Sequence, residues 1–129
     1  MIDALIAYLE SNTENFVTID HAWETEPVDE IRDTTPALYL FPGDEDTQKD
    51  GTDYLVSNML DMEVNIYVVC EIAALEARKT ELRSAAIGWR PGQNFHDLHL
   101  MRGRLVALKG GLAWWQDTYG TASVIREQY

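Results

Sequence analysis

The sequence predicts an α+β fold with a mixed, mainly antiparallel sheet and two or three helices packed on one side of it. Residues 61–70 alternate inward and outward side chains with the period of two that a strand with one buried face requires. Residues 73–86 then follow the longer period of a surface helix, with one apolar stripe. The chain has 129 residues, which is the size of one ordinary domain, and we expect a single domain over 1–129.

The first third of the chain predicts a helix, a short strand, a second short helix and another strand. The apolar residues within 2–9 have the i, i+3, i+4, i+7 spacing of an amphipathic helix. Residues 16–19 are β-formers, and Thr25 is placed to cap a short helix within 24–33. The dense apolar run between the two prolines of 36–42 is typical of a buried strand.

Residues 43–53 form an acidic stretch of the sequence. They include four aspartates, one glutamate and two glycines, without a large apolar side chain. A calcium loop that began at Asp46 would have Gln48 in its third place and Ser57 in its twelfth, where a bidentate glutamate is needed. We therefore predict a solvated, mobile acidic loop at about 43–53, which could be the tip of a wide hairpin.

The second half of the chain predicts a helix stop, two strands and a tight turn. Gly88 stands where a left-handed helix cap is needed, and the following Pro91 cannot continue the helix. Gly103 is predicted to mark a bulge or bend in the strand at 95–109. The inward candidates on that strand are Leu98, Leu100, Leu105 and Ala107. A Gly-Gly turn then leads to a last strand within 114–126.

The charge and the single cysteine limit the classes of function. The net charge of −12 argues against a face that binds nucleic acid or an anionic membrane, because both need clustered Lys and Arg. Cys70 is predicted to be a core thiol, which fits a reducing compartment or a virion component. The sequence shows no membrane span and no leader pattern, so a soluble protein is expected.

No catalytic constellation is visible in the sequence. It lacks a Gly-x-Ser-x-Gly elbow, a His-Glu-x-x-His helix and a phosphate-binding glycine loop. His96 and His99 would point to opposite faces of a strand and so would not share a metal ion. We therefore expect no enzyme, no catalytic residue, no metal and no cofactor.

The sequence has four tryptophans, two of which are adjacent, and this pattern indicates contacts with other surfaces. Trp114 and Trp115 are adjacent, so only one of them can face the core from a strand. The other must be covered either by a neighbouring subunit or by a segment of the same chain. The predicted interface residues are three acids of the loop, three tryptophans and the arginine next to one of them: Asp44, Glu45, Asp46, Trp89, Arg90, Trp114 and Trp115.

The order of these parts resembles the small tail terminator proteins of long-tailed bacteriophages. The resemblance spans most of the chain and rests on element order together with short motifs. The motifs are Pro-Ala-Leu-Tyr-Leu-Phe-Pro at 36–42, Gly88-Trp89-x-Pro91, Gly103-Arg104-Leu105 and a closing segment from Trp115 to Arg126.

The resemblance implies a structural role in phage morphogenesis. It implies a homohexameric ring that caps the tail tube at the junction of tail and neck, ends its polymerisation and presents a surface to the head connector. DNA would pass through the lumen without specific binding, and the negative charge would let it slide. Alternatives are another head-tail joining protein of the neck and, from a different class, a small acidic immunity protein that mimics DNA.

Overall fold

The computed structural model describes residues 1–22, 34–49, 57–93 and 95–126, and for 45–49, 57–60 and 123–126 it describes the backbone. Within these ranges the α+β class is confirmed, with one five-stranded mixed sheet and two α-helices. The second helix expected within 24–33 lies outside the described residues. No helix of the described part is long and apolar enough to cross a membrane.

All five strands belong to a single sheet, and the two α-helices precede β1 and β4 in the chain. The sheet has the order β1-β2-β3-β5-β4, in which β1 and β2 are parallel and the other neighbours are antiparallel. The elements are α1 (Ile2–Asn12), β1 (Thr18–His21), β2 (Ala37–Lys49), β3 (Ser57–Glu71), a short 3-10 turn (Ile72–Ala74), α2 (Leu75–Ala86), β4 (His99–Lys109) and β5 (Leu112–Arg126).

Strand β3 has one face toward each of two apolar clusters. The alternation predicted one buried face, but residues on both faces of 64–70 are buried, because side chains of the neighbouring β2 and β5 cover the second face as well. The cluster on the helix side joins the even-numbered residues of 64–70 to Leu5 of α1 and Leu82 of α2, and its described core members are fully or nearly fully buried. The cluster on the second face of the sheet contains Tyr67 and Trp114. Cys70 lies in the first cluster as a buried thiol, and burial raises its pKa, as expected for a core cysteine.

The acidic stretch differs from the predicted loop. Strand β2 continues to Lys49, and its register with β3 runs on after a shift between Pro42 and Glu45. The prediction of a loop is therefore wrong for 43–49, because the long alternating β3 offers backbone partners that override the low strand propensity of Asp and Gly. Residues 50–56 lie outside the described part.

The turns agree with the glycine pattern, except at one position. Gly88 has a φ of 91°, and Gly110 and Gly111 have φ values of 58° and 80°, as a two-residue hairpin between β4 and β5 requires. The register of β4 shifts near residues 101 and 106, on either side of Gly103. Gly103 itself pairs with Asp117, so the predicted bulge is misplaced by about two residues.

Candidate functional site

A buried carboxylate on β5 ties the helix side of the sheet together. Asp117 is fully buried, and its oxygens accept hydrogen bonds from Arg83 Nε (3.0 Å) and Nη2 (2.8 Å) of α2. It also accepts from the Trp115 indole at 2.7 Å and the Tyr119 hydroxyl at 3.0 Å. We call these four residues the Asp117 cluster. Because the charge is paired and hydrogen-bonded, the sheet tolerates it in its interior.

The cluster shifts the proton affinity of its members. The hydrogen bond to Asp117 raises the pKa of the Arg83 guanidinium, so that group stays charged. Burial first, and the charge of Asp117 second, hold the pKa of Tyr119 far above its usual range. The phenol therefore remains a hydrogen-bond donor to the carboxylate at any physiological pH. This arrangement fixes α2 on the sheet and offers no nucleophile.

Gly103 explains how β4 can approach this cluster. A Cβ atom at that position would lie 2.7 Å from Asp117 Oδ1, 2.9 Å from the Trp115 ring and 3.0 Å from Arg83 Nη2. The first two distances are shorter than real Cβ contacts, so any larger residue would have to displace the groups of the cluster. The glycine that the sequence suggested as a bulge is therefore a site of close approach.

Both members of the tryptophan pair are covered by residues of the same chain. Trp115 lies under Lys79, whose Nζ is 3.7 Å from the ring centroid. Trp114 faces the second side of the sheet, where only 3% of it is exposed and it packs against Tyr39 and Tyr67. Of the two covers considered for this pair, the structure shows the intramolecular one.

The other residues selected from the sequence are dispersed. Trp89 is half-buried beside Tyr8, with ring centroids 5.8 Å apart. Arg90 is exposed and donates to Asp97 at 3.0 Å. Asp44 is exposed on β2, and Glu45 and Asp46 follow it on the same strand, paired with residues 62 and 61 of β3. The structure does not bring the seven residues together into one surface.

A more compact apolar surface lies on the edge strand β4, and sequence reasoning missed it. Leu105 and Leu108 are 48% and 58% exposed, although Leu105 is predicted to point inward. They pair with Trp115 and Ala113, so both leucines lie on the helix side of the sheet. We call this surface, together with the exposed Arg102 and Arg104 of the same strand, the β4 edge.

A second surface lies at the opposite end of the sheet. An open concavity of about 430 Å³ lies between α1 and β1, and its lining includes Glu10, Phe16, Val17 and Asp20. Val17 is 64% exposed, and both acids are exposed. We call this surface the α1–β1 edge. It combines apolar and acidic groups where the β4 edge combines apolar and basic ones.

The described residues bring together side chains suited to protein contacts. Among them, no group of three or more His, Cys, Asp or Glu side chains is placed to hold a metal ion. Exposed leucine, valine and arginine at two edges are the kinds of group that bind another protein surface. The signal for the Asp117 cluster was present in the sequence as an acid two residues from both an indole and a phenol on one strand face.

Comparisons with family models, curated proteins and solved structures show what the chain is similar to. The family model described as "Phage tail terminator protein" matches residues 2–129. A search of curated proteins finds no match. Among solved structures, the chain is similar to one from "Virion of native gene transfer agent (GTA) particle". The two are 16% identical, with 95% of this chain and 87% of that chain covered and a TM-score of 0.48.

Proposed function

Because this chain belongs to the phage tail terminator protein family, we propose that it forms a ring on the end of the polymerised tail tube and stops tube growth. The family is structural, so the chain is a structural protein of a phage tail and not an enzyme. The observation that carries the proposal is the extent of the family match, which covers 2–129 and therefore all the described elements.

The finer features of the proposal concern stoichiometry and partners. We propose a homohexamer at the junction of tail and neck that contacts the tail tube protein on one side and the head connector on the other. Two surfaces at opposite ends of the sheet support self-association, since a ring needs two different surfaces on each subunit. The chain would be made in the host cytoplasm and would end in the virion.

The net charge of −12 supports a role as a passage for DNA. A lumen lined by carboxylates repels the phosphate backbone and so does not retain DNA as it passes. Asp44, Glu45 and Asp46 on β2 and the exposed Arg90 remain our candidate contacts to the lumen, the tube or the connector. Reversing the charge of the three acids should slow DNA delivery, and unchanged delivery would count against this role.

Light scattering followed by electron microscopy tests the ring directly. Light scattering gives the molar mass of the purified protein in solution. The protein is then added to tubes assembled from tail tube protein, and the length of these tubes is compared with that of tubes grown without it. We expect a ring in solution or on tube ends, together with tubes that stop growing. An equally acidic unrelated protein is the control. A stable monomer that leaves tube growth unchanged would contradict the proposal and favour the acidic immunity protein.

A further inference from the structure

We propose that the β4 edge of one subunit docks on the α1–β1 edge of the next, so that the ring is built from one repeated contact. This inference rests on the proposed ring and names the surfaces that would form it. The occupant of each edge is a second copy of this chain. Three independent features of the two edges support this pairing.

The first feature is apolar surface at both edges. Leu105 and Leu108 leave about half of their surface in solvent, and Val17 leaves more. Scattered exposed residues are ordinary, but these two leucines share a strand and a face. The concavity beside Val17 is a recess on that edge, and Phe16 and Val17 contribute apolar groups to its lining. Burying these groups together would remove apolar area from water at each contact.

The second feature is opposite charge. Strand β4 contains three Lys or Arg residues and no Asp or Glu, in a chain whose net charge is −12. Residues 1–22, which form α1 and β1, contain four acids and no Lys or Arg. Two like edges would repel each other, whereas the unlike edges attract. The charge pattern therefore favours contact between different edges over contact between identical ones.

The third feature is the side of the sheet on which each group lies. Arg102 and Arg104 pair with Thr118 and Gln116, so they lie on the second face, away from the helices. Asp20 pairs with Tyr39, which packs against the cluster on that same second face. The leucines lie on the helix side, as α1 does. Neighbouring sheets placed edge to edge would thus match charge with charge on one side and apolar groups on the other.

Topology makes this contact intermolecular. In the sheet order β1-β2-β3-β5-β4, the two edges are separated by three strands, so one subunit cannot satisfy both by itself. A contact between two different surfaces leaves one of each free after every addition. Such head-to-tail contacts close into rings when the rotation between subunits permits.

A mixture of two variants, each with one of the two edges disrupted, tests the pairing. Leu105→Asp with Leu108→Asp breaks the β4 edge, and Glu10→Arg with Asp20→Arg breaks the α1–β1 edge. Each variant alone should be monomeric by native mass spectrometry. Their 1:1 mixture should give a heterodimer, because one intact contact remains, and no ring. Ile87→Asp is the matched control, since Ile87 is 48% exposed but belongs to neither edge, and this variant should assemble like the wild type.

A charge exchange guards against variants that merely fold poorly. Arg104→Glu alone should raise the concentration needed for assembly about tenfold, because it opposes Asp20 of the neighbour. Asp20→Arg alone should do the same, and the two together in one chain should restore assembly. Far-UV circular dichroism verifies that each variant is folded.

The outcomes separate this pairing from the ring itself. If the leucine variant forms rings like the wild type, the pairing is wrong although the ring stands. If either broken variant dimerises with itself, the contact is between identical surfaces and the pairing is also wrong. If wild-type protein forms no ring in solution or on tube ends, the proposed function fails and this inference fails with it.

Discussion

The inner strand β5 and the edge strand β4 place charged and apolar side chains in opposite environments. On β5, the carboxylate of Asp117 is fully buried and hydrogen-bonded to three partners. One strand away, Leu105 and Leu108 stand half in solvent beside exposed arginines. Both regions break the rule that charges lie outside and leucines inside. The buried carboxylate has its hydrogen-bond partners within the chain, whereas the apolar surface of the two leucines remains exposed.

The difference separates residues that serve folding from residues that we propose serve assembly. The Asp117 cluster joins α2 to β5, and Gly103 lets β4 lie close to it. Such a network specifies one packing of helix on sheet. The leucines of β4 remain about half exposed within the subunit, and we propose that they contact a second subunit. Changes in the two regions should therefore separate the stability of the monomer from the assembly of the proposed ring.

The largest expected effect on folding comes from Asp117→Ala. It removes the acceptor of the Arg83 guanidinium, the Trp115 indole and the Tyr119 hydroxyl, and leaves these donors in a largely buried place. We expect the free energy of unfolding to fall by about 3 to 4 kcal/mol, measured by urea denaturation.

A surface ion pair provides the control for that change. Asp97→Ala removes an exposed pair with Arg90, in which each side chain is more than half exposed. It should lower the free energy of unfolding by less than about 1 kcal/mol. Equal losses in the two variants would show that Asp117 does not stabilise the interior as described.

Sequence alone predicted much of the fold around these regions. The alternation of β3, the apolar stripe of α1 and the glycine turns follow from local periodicity and backbone preference, and the structure contains all of them. These features need only neighbours in sequence. They show that these elements of the chain are encoded locally.

The remaining features depend on residues that are distant in sequence. Arg83 and Asp117 are 34 positions apart, so no local pattern joins them. The extension of β2 to Lys49 depends on the length of its partner β3. The exposure of Leu105 depends on how far the helices extend across the sheet. Periodicity tells which side chains share a face, but not which part of that face is covered.

Gly103→Ala should give the next largest effect on folding. The added Cβ would lie 2.7 Å from Asp117 Oδ1, so the hydrogen-bonded groups of the cluster would have to move. We expect a loss of about 2 kcal/mol in the free energy of unfolding, by chemical denaturation. Gly92→Ala is the matched control, because its nearest neighbour would be 3.4 Å away. A neutral Gly103→Ala would mean that β4 can move away from the cluster freely.

Tyr119→Phe tests the cluster through its dependence on pH. Loss of the hydroxyl should cost about 1.5 kcal/mol at neutral pH, because the bond to the buried carboxylate disappears. In the wild type the folded protein holds the phenol proton more tightly than the unfolded chain, whose tyrosine pKa is about 10. The unfolded chain therefore loses its proton first as pH rises.

The stabilisation from Tyr119 is thus complete below about pH 10 and is lost as pH rises above that value. The difference in unfolding free energy between wild type and Tyr119→Phe should shrink between pH 9 and 11. Denaturation curves across this range measure it. Tyr8→Phe, at a half-buried position of α1 outside the cluster, is the control. A constant difference would show that Tyr119 does not have its raised pKa in the folded protein.

Leu108→Ala should have the smallest effect on folding. Its effect distinguishes most clearly the β4 edge from the buried interior. Since 58% of this side chain is already exposed, its truncation should cost the monomer less than about 1 kcal/mol. The same change at Leu82, which is fully buried on the inner face of α2, should cost about 2 to 5 kcal/mol. Urea denaturation of both variants gives this contrast. If Leu108→Ala destabilises the monomer as much as Leu82→Ala does, the β4 leucines serve folding, and their exposure is no sign of a partner.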